Sequence, residues 1–404
     1  MSSVTASPRA VPVVILGSGP YGLSVAAQLA SRDVPFRIFG KAMATWREHM
    51  PQDMLLKSEP FASNLSAPGV DGTLERYCAE MSFPYSPTGT PVSLDRFVSY
   101  ANWFQKRFVP QLEQLDAVRV TEMAGEFIIT LEDNSVVQAR NVVVATGITW
   151  FRQIPKILAG LPDQFVSHSY DHRDAAAYSG KRVVVVGAGA SAIDVASLFA
   201  EAGAVVQVLT RQPKINFHNP PGQRSLFTRI RHPQTGIGPG LRSSFYCSAP
   251  LAFRRLPAPM RSSIVRTHLR AAPGWFMREK IEGKVAILLG QHLQSAAINN
   301  NLVELTVRDN QGTTSKLEAD HVIAATGYAV DVSKVQVLDA ALQTKVWHYQ
   351  QAPLLSDNFE SSAKGLYFVG PAAAHSFGPL LRFAFGAEWV APRIARHFAA
   401  KNFS

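Results

Sequence analysis

Two glycine-rich loops, Gly17-Ser18-Gly19-Pro20-Tyr21-Gly22 and Gly187-Ala188-Gly189-Ala190-Ser191-Ala192, constrain this chain more than any other feature. Each follows a short β-branched run, Val11 to Leu16 and Arg182 to Val186, that reads as a buried parallel strand. Each is followed by apolar residues at helical spacing: Leu23, Ala26, Ala27 and Ala30 in one case, Ile193, Val195, Ala196 and Leu198 in the other. Strand, glycine turn and helix in that order form a phosphate cradle. The first glycine allows the turn, the second lets the backbone approach a pyrophosphate, and the third allows close packing of helix on strand. Free N–H groups at the helix start then face the negative charge.

Two such units about one domain apart predict an α/β fold with two doubly wound, Rossmann-like dinucleotide-binding domains, and therefore two nucleotides. The residue ending the second strand of each unit lies beside the adenine ribose. In the second unit Val205 to Thr210 ends at Arg211, a cation suited to a 2'-phosphate, so the second site is expected to take NADPH. The first unit ends at Gly40-Lys41 and lacks the acidic residue that usually accepts ribose hydroxyls. Lys41 is carried as a cofactor-side residue on position alone.

Composition narrows the function. At 404 residues and 47% hydrophobic, the chain is long enough for two or three domains with a large core. The longest apolar region, Val183 to Leu209, is broken by Asp194 and Glu201, so no membrane span is expected. Met1 to Ala10 is polar, and a cytoplasmic location is the expectation. Cys78 and Cys247 are the only cysteines, which excludes a disulfide framework, a zinc cluster and a redox Cys-x-x-C. The net charge of +10 is concentrated: between Pro213 and Lys280 twelve Lys and Arg residues, among them Arg224, Arg229 and Arg270, stand against Glu279 alone. No nucleic-acid motif accompanies them. The stretch is rich in Pro, Gly and aromatic residues such as Phe227, and reads as an insertion over the active site or a basic surface patch.

Three further apolar runs end in small turns, at Thr146-Gly147, Thr326-Gly327 and Gly370, where a strand end meets a cofactor or a domain crossing. Glu126 to Ala139 reads as a β-hairpin before the first of these, and Leu302 to Leu317 repeats it before the second. The expected organisation is a first domain of residues 1–155 and 318–404 and a second of 156–317, the latter carrying the insertion at about 213–282. Phe377 to Phe403 has one broad apolar face and reads as a closing helix.

Smaller motifs carry a resemblance. Trp46-Arg47-Glu48-His49-Met50 with Leu55-Leu56-Lys57-Ser58, Phe61-Ala62-Ser63-Asn64-Leu65, Phe83-Pro84-Tyr85, and Ala325-Thr326-Gly327-Tyr328 together resemble the single-component flavoprotein monooxygenases that use FAD and NADPH. These include flavin-containing and N-hydroxylating monooxygenases. Phe165 to Tyr170 is similar to that family's Phe-x-Gly-x-x-x-His signature, shortened and without its glycine, which leaves the subfamily open. The resemblance covers nearly the whole chain apart from the basic insertion. It implies that NADPH reduces FAD, that reduced flavin forms a C4a-peroxide with dioxygen, and that one oxygen atom passes to a small organic substrate. N- or S-oxidation, hydroxylation and Baeyer-Villiger chemistry are all compatible; an NADPH-dependent oxidase or reductase without oxygen transfer is the alternative. It further implies that Trp46, Lys57 and Ser58 lie against the flavin and that Asn64 faces its reacting side. Asn64 also suits a turn. His168 reads as structural, and His375 and Arg382 flank a turn close to the expected flavin. No metal spacing is present, and oligomeric state is not encoded in any motif.

Overall fold

The computed structural model describes residues 10–219, 231–269 and 272–401; Arg224, Phe227, Arg229 and Arg270 lie outside the described residues. Two parallel sheets organise it. The first has the order Leu366–Phe368, Val142–Val144, Val13–Leu16, Phe36–Phe39. The second has the order Ala286–Leu288, Val205–Leu209, Arg182–Val186, His321–Ala324, Val166–His168. The central strands are unbroken Val, Ile and Leu because helices and loops cover both faces, leaving every residue of Val13–Leu16 and Val142–Val144 buried. In both sheets the order reverses at the strand that feeds a glycine loop, so each loop sits at the topological switch point where a crevice opens.

Helix Pro20–Ala30 covers the first sheet with Leu23, Val25 and Ala26 fully buried, and helix Ala190–Glu201 covers the second with Ile193, Val195 and Ala196. Each sheet is interrupted along the chain by an antiparallel meander, inserted before Val142–Val144 in the first and before His321–Ala324 in the second. The expected hairpins are present, Glu126–Leu131 with Val136–Ala139 and Leu302–Arg308 with Thr314–Ala319, and each gains a preceding strand, Ala117–Met123 or His292–Asn299.

Two expectations are corrected. Strand His321–Ala324 pairs on both sides within the second sheet, so that unit runs through Ala324 and past the boundary at 318. The chain recrosses where Gln153 N–H donates to Gly327 O at 3.1 Å and Ala329 N–H to Phe151 O at 2.8 Å. The closing helix is Ala387–Ala399, preceded by two short 3-10 turns. Gly378, with φ of +104°, ends the preceding helical turn before Pro379. The insertion is a bridge: Tyr246, Phe253 and Val265 of its helices Leu241–Ser248, Pro250–Arg254 and Ala258–Thr267 join the core of the first unit, whereas Met277 and Ile281 join that of the second. Among the described residues no helix is long and apolar enough to cross a membrane.

Candidate functional site

The first glycine loop is built by steric demand. A Cβ on Gly17 would lie 2.7 Å from Ala145 O, and Gly17 takes a φ of +102°. A Cβ on Gly22 would collide with the Gly17 carbonyl, whereas a Cβ on Gly19 would meet nothing within 4 Å. Gly17 and Gly22 are therefore glycine because of the protein, and Gly19 is free toward whatever occupies the crevice. Gly19 caps helix Pro20–Ala30 with no side chain over its free N–H groups, and Pro20 opens the first turn. Ser18 is 3% exposed and its hydroxyl has no hydrogen-bond partner. A buried hydroxyl left so is a donor awaiting an acceptor. An open glycine, an unpartnered hydroxyl and a bare helix start fit a dinucleotide pyrophosphate.

The second loop repeats the construction. A Cβ on Gly187 would strike Ala325 O, as one on Gly17 would approach Ala145 O, so an Ala-Thr-Gly turn underlies each loop. Gly189 caps helix Ala190–Glu201, and Ala190 and Ser191 form its first turn. Thr146 and Gly147 sit half-buried beneath the first loop. Beneath the second, the Thr326 hydroxyl donates to Gln153 O and Gly327 O accepts from Gln153, which makes this turn part of the domain crossing. Arg211 is exposed at the end of Val205–Leu209 and has no ion pair among the described residues. Gly370 approaches the first loop so closely that a Cβ would stand 3.1 Å from the Tyr21 ring. Tyr21 is buried and donates to Phe383 O at 2.7 Å, and burial holds its phenol well above the usual range.

The other residues singled out above have partners of their own. Lys41 pairs with Asp116 at 3.4 Å and Glu132 at 3.3 Å on the first meander. Trp46 packs edge-on against Phe97, 4.8 Å between ring centres. Ser58 is half-buried. Asn64 spans its turn: its amide donates to Phe61 O at 3.1 Å and its oxygen accepts the Leu74 N–H at 2.9 Å, at the start of helix Leu74–Glu80. His168 is fully buried, with Nδ1 accepting the Tyr170 N–H and Nε2 facing Gly327 O at 3.1 Å, which defines a neutral ring. Burial lowers its pKa accordingly.

Two features have no counterpart in the sequence reading. Lys57 forms an ion pair with Asp194, joining the loop before Asn64 to the helix that follows the second glycine loop. Desolvation raises the Asp194 pKa although Lys57 opposes it. The signal in the sequence is an acid in mid-helix with apolar neighbours, Ile193 and Val195, on both sides. The second feature is a buried relay, in which the Ser167 hydroxyl lies 2.6 Å from His172 Nε2 and 2.7 Å from His321 Nε2. His321 Nδ1 donates to Gln164 O at 3.1 Å, so its Nε2 must accept from Ser167.

Residues 14–233, which contain both glycine loops, match the family model of the pyridine nucleotide-disulphide oxidoreductases. The chain belongs to this family. Its two cysteines are free, one buried and one half-buried, so no disulfide accompanies the fold. Among curated proteins it is similar to indole-3-pyruvate monooxygenase YUCCA1 of Oryza sativa subsp. japonica, 29% identical over 216 residues, 49% of this chain and 47% of the relative. The chain thus matches about half the length of the curated relatives. The solved structure of reduced ornithine hydroxylase from Pseudomonas aeruginosa superposes with a TM-score of 0.75 at 16% identity, covering 97% of this chain and 99% of that one. Bacillithiol disulfide reductase from Staphylococcus aureus gives 0.64 at 18% identity over 98% and 100%. These likenesses establish the two-domain fold.

Proposed function

We propose that this member of the family is an FAD-dependent, NADPH-using monooxygenase acting on a small organic substrate with dioxygen. The observation that carries the reading is the pair of matching glycine loops at two switch points, clamped together by Lys57 and Asp194 without a cysteine pair. FAD fits the first loop, held by Gly17, Ser18, Gly19, Pro20, Tyr21 and Gly22, with Thr146, Gly147 and Gly370 closing the crevice and Lys41, Trp46 and Ser58 at its margin. NADPH fits the second, on Gly187, Gly189, Ala190 and Ser191, with Arg211 for the 2'-phosphate and Thr326 and Gly327 at the crossing. Bound together, the two cofactors supply hydride transfer and oxygen activation.

The chain's own residues orient and protect. The Ser18 hydroxyl would donate to a bound pyrophosphate, and the Lys57–Asp194 pair would hold the two units in a fixed relation for hydride transfer. The insertion, packed on both units, keeps water out of the reacting space. Asn64 acts from the edge of that space as a positioning residue, its side chain tied to Phe61 O, the Leu74 N–H and the Glu388 carboxyl. The test is a panel of amines, sulfides and ketones, with NADPH consumed, oxygenated product and hydrogen peroxide all measured. Product formation coupled to NADPH is expected, and Asn64→Ala raises the ratio of peroxide to product. Peroxide as the sole product with every substrate would make the chain an NADPH oxidase.

A further inference from the structure

A group of cations meets between the insertion and the segment after the last strand of the first sheet, with almost no negative charge to balance it. Arg261 lies on helix Ala258–Thr267, which packs against the short helix Ala374–Phe377 carrying His375. Arg261 is only 9% exposed; one of its amino groups donates to Arg254 O at 2.9 Å, and its Nε has no partner. His375 Nδ1 is likewise buried without a partner. Burial and the Arg266, Arg382 and Arg261 guanidiniums push the His375 pKa down to about 4. Arg382 is spent on the carbonyls of Val265, at 3.0 Å, and His268, at 3.2 Å.

Among the described residues Arg261, Arg266 and Arg382 have no ion pair, and the nearby carboxylate, Asp357, is taken by Arg254 at 2.7 Å and Arg255 at 3.3 Å. Residues 220–230 and 270–271 contain no Asp or Glu. A guanidinium withdrawn from water without an anion is costly, and a fold retains one where an anion is to be received. The location favours a substrate. Arg382 lies between Leu381 and Phe383, whose carbonyls accept from Tyr21 of the first glycine loop. The cluster therefore adjoins the proposed flavin crevice.

We propose that Arg261 and His375 form the seat for the carboxylate of a small organic acid, the substrate class of this enzyme. The naming of that acid as substrate rests on the monooxygenase reading; the anion site itself does not. Arg261 offers its Nε–H and a free amino N–H as a fork matched to the two carboxylate oxygens, and His375 Nδ1–H donates alongside once the anion raises its basicity. Arg261 Nε and His375 Nδ1 are both shut off from solvent.

Thermal melting of the flavin-loaded full chain tests this without turnover, using phenylacetate and its uncharged counterpart phenylacetamide at matched ionic strength. Phenylacetate is expected to raise the melting temperature in a saturable way and phenylacetamide to leave it unchanged. Arg261→Gln should weaken the apparent phenylacetate affinity roughly tenfold or more, as expected for losing a charge-assisted hydrogen bond, with flavin content unchanged. If Arg261→Gln does not fold, His375→Gln carries the same comparison. An equal response to phenylacetamide, or a phenylacetate response that survives in both variants, overturns the site. A phenylacetate response without any oxygenated product would instead overturn the monooxygenase reading and leave the anion site standing.

Discussion

Replacing Lys57 by Met should expose how far the two units depend on one buried ion pair. The Asp194 side chain is 6% exposed and that of Lys57 20%, so the carboxylate cannot recover its hydration when its partner is removed. Breaking a buried pair from one side costs about 3–5 kcal/mol; Lys57 keeps some contact with solvent, which puts the expectation near about 3 kcal/mol at neutral pH. Asp194 has one escape, which is to take up a proton. Its folded pKa already lies above the usual 3.8 because of desolvation, and loss of Lys57 raises it further. A carboxyl with a raised folded pKa favours the fold below the unfolded value and loses that contribution as pH rises through the folded value. The Lys57→Met defect should therefore be largest at pH 8 and shrink as pH falls toward 5. Denaturant unfolding of the parent, Lys57→Met, Asp194→Asn and the double variant, each at two pH values, measures this. The double variant should recover most of the loss, and NADPH-driven flavin reduction in Lys57→Met should slow at least roughly tenfold with FAD content unchanged, since only the alignment of the units suffers. A Lys57→Met protein within about 0.5 kcal/mol of the parent, or a double variant as unstable as Lys57→Met, would refute the clamp.

Other consequences follow from the same geometry. Gly22→Ala drives a methyl into the Gly17 carbonyl and should cost about 3 kcal/mol or more, whereas Gly19→Ala meets open space and should fold within about 1 kcal/mol of the parent yet purify without flavin; melting and flavin absorbance separate the two. Arg211→Ala should lower kcat/KM for NADPH roughly ten- to a hundredfold and leave NADH unaffected, and equal loss with both would remove Arg211 from the 2'-phosphate site. His172 is held neutral, its pKa lowered to about 4 chiefly by burial and then by His321. A depressed histidine stabilises the fold above its unfolded value near 6.5 and loses this as pH falls toward 4, so up to about 3 kcal/mol should vanish across that window. His172→Gln should flatten the acid limb of a stability profile, and an unchanged limb would assign acid sensitivity elsewhere.

The sheets were legible because doubly covered parallel strands must be continuous β-branched runs, and Val13-Val14-Ile15-Leu16 and Arg182-Val183-Val184-Val185-Val186 contain nothing else that competes. The added meander strands were not, because His292–Asn299 is mostly exposed and shows no period of two. The boundary error has a local cause: a hairpin ending at Ala319 runs straight into His321–Ala324, and nothing in the sequence states which sheet that strand joins. In the site, the glycine loops announce themselves because their constraints are local. Lys57 with Asp194 and Ser167 with His321 are separated by 137 and 154 residues, and no spacing rule links such pairs. Asn64 satisfies its turn with the same amide that the resemblance directs toward the cofactor, so sequence and structure weigh different uses of one side chain.

The most direct test is to reduce the FAD-loaded chain anaerobically with NADPH and follow its absorbance on mixing with oxygenated buffer and a substrate that gave product. A transient species absorbing in the near ultraviolet, followed by oxidised flavin and about one oxygenated product per flavin, is the predicted result. Single-phase return to oxidised flavin with one hydrogen peroxide released per flavin would contradict the account.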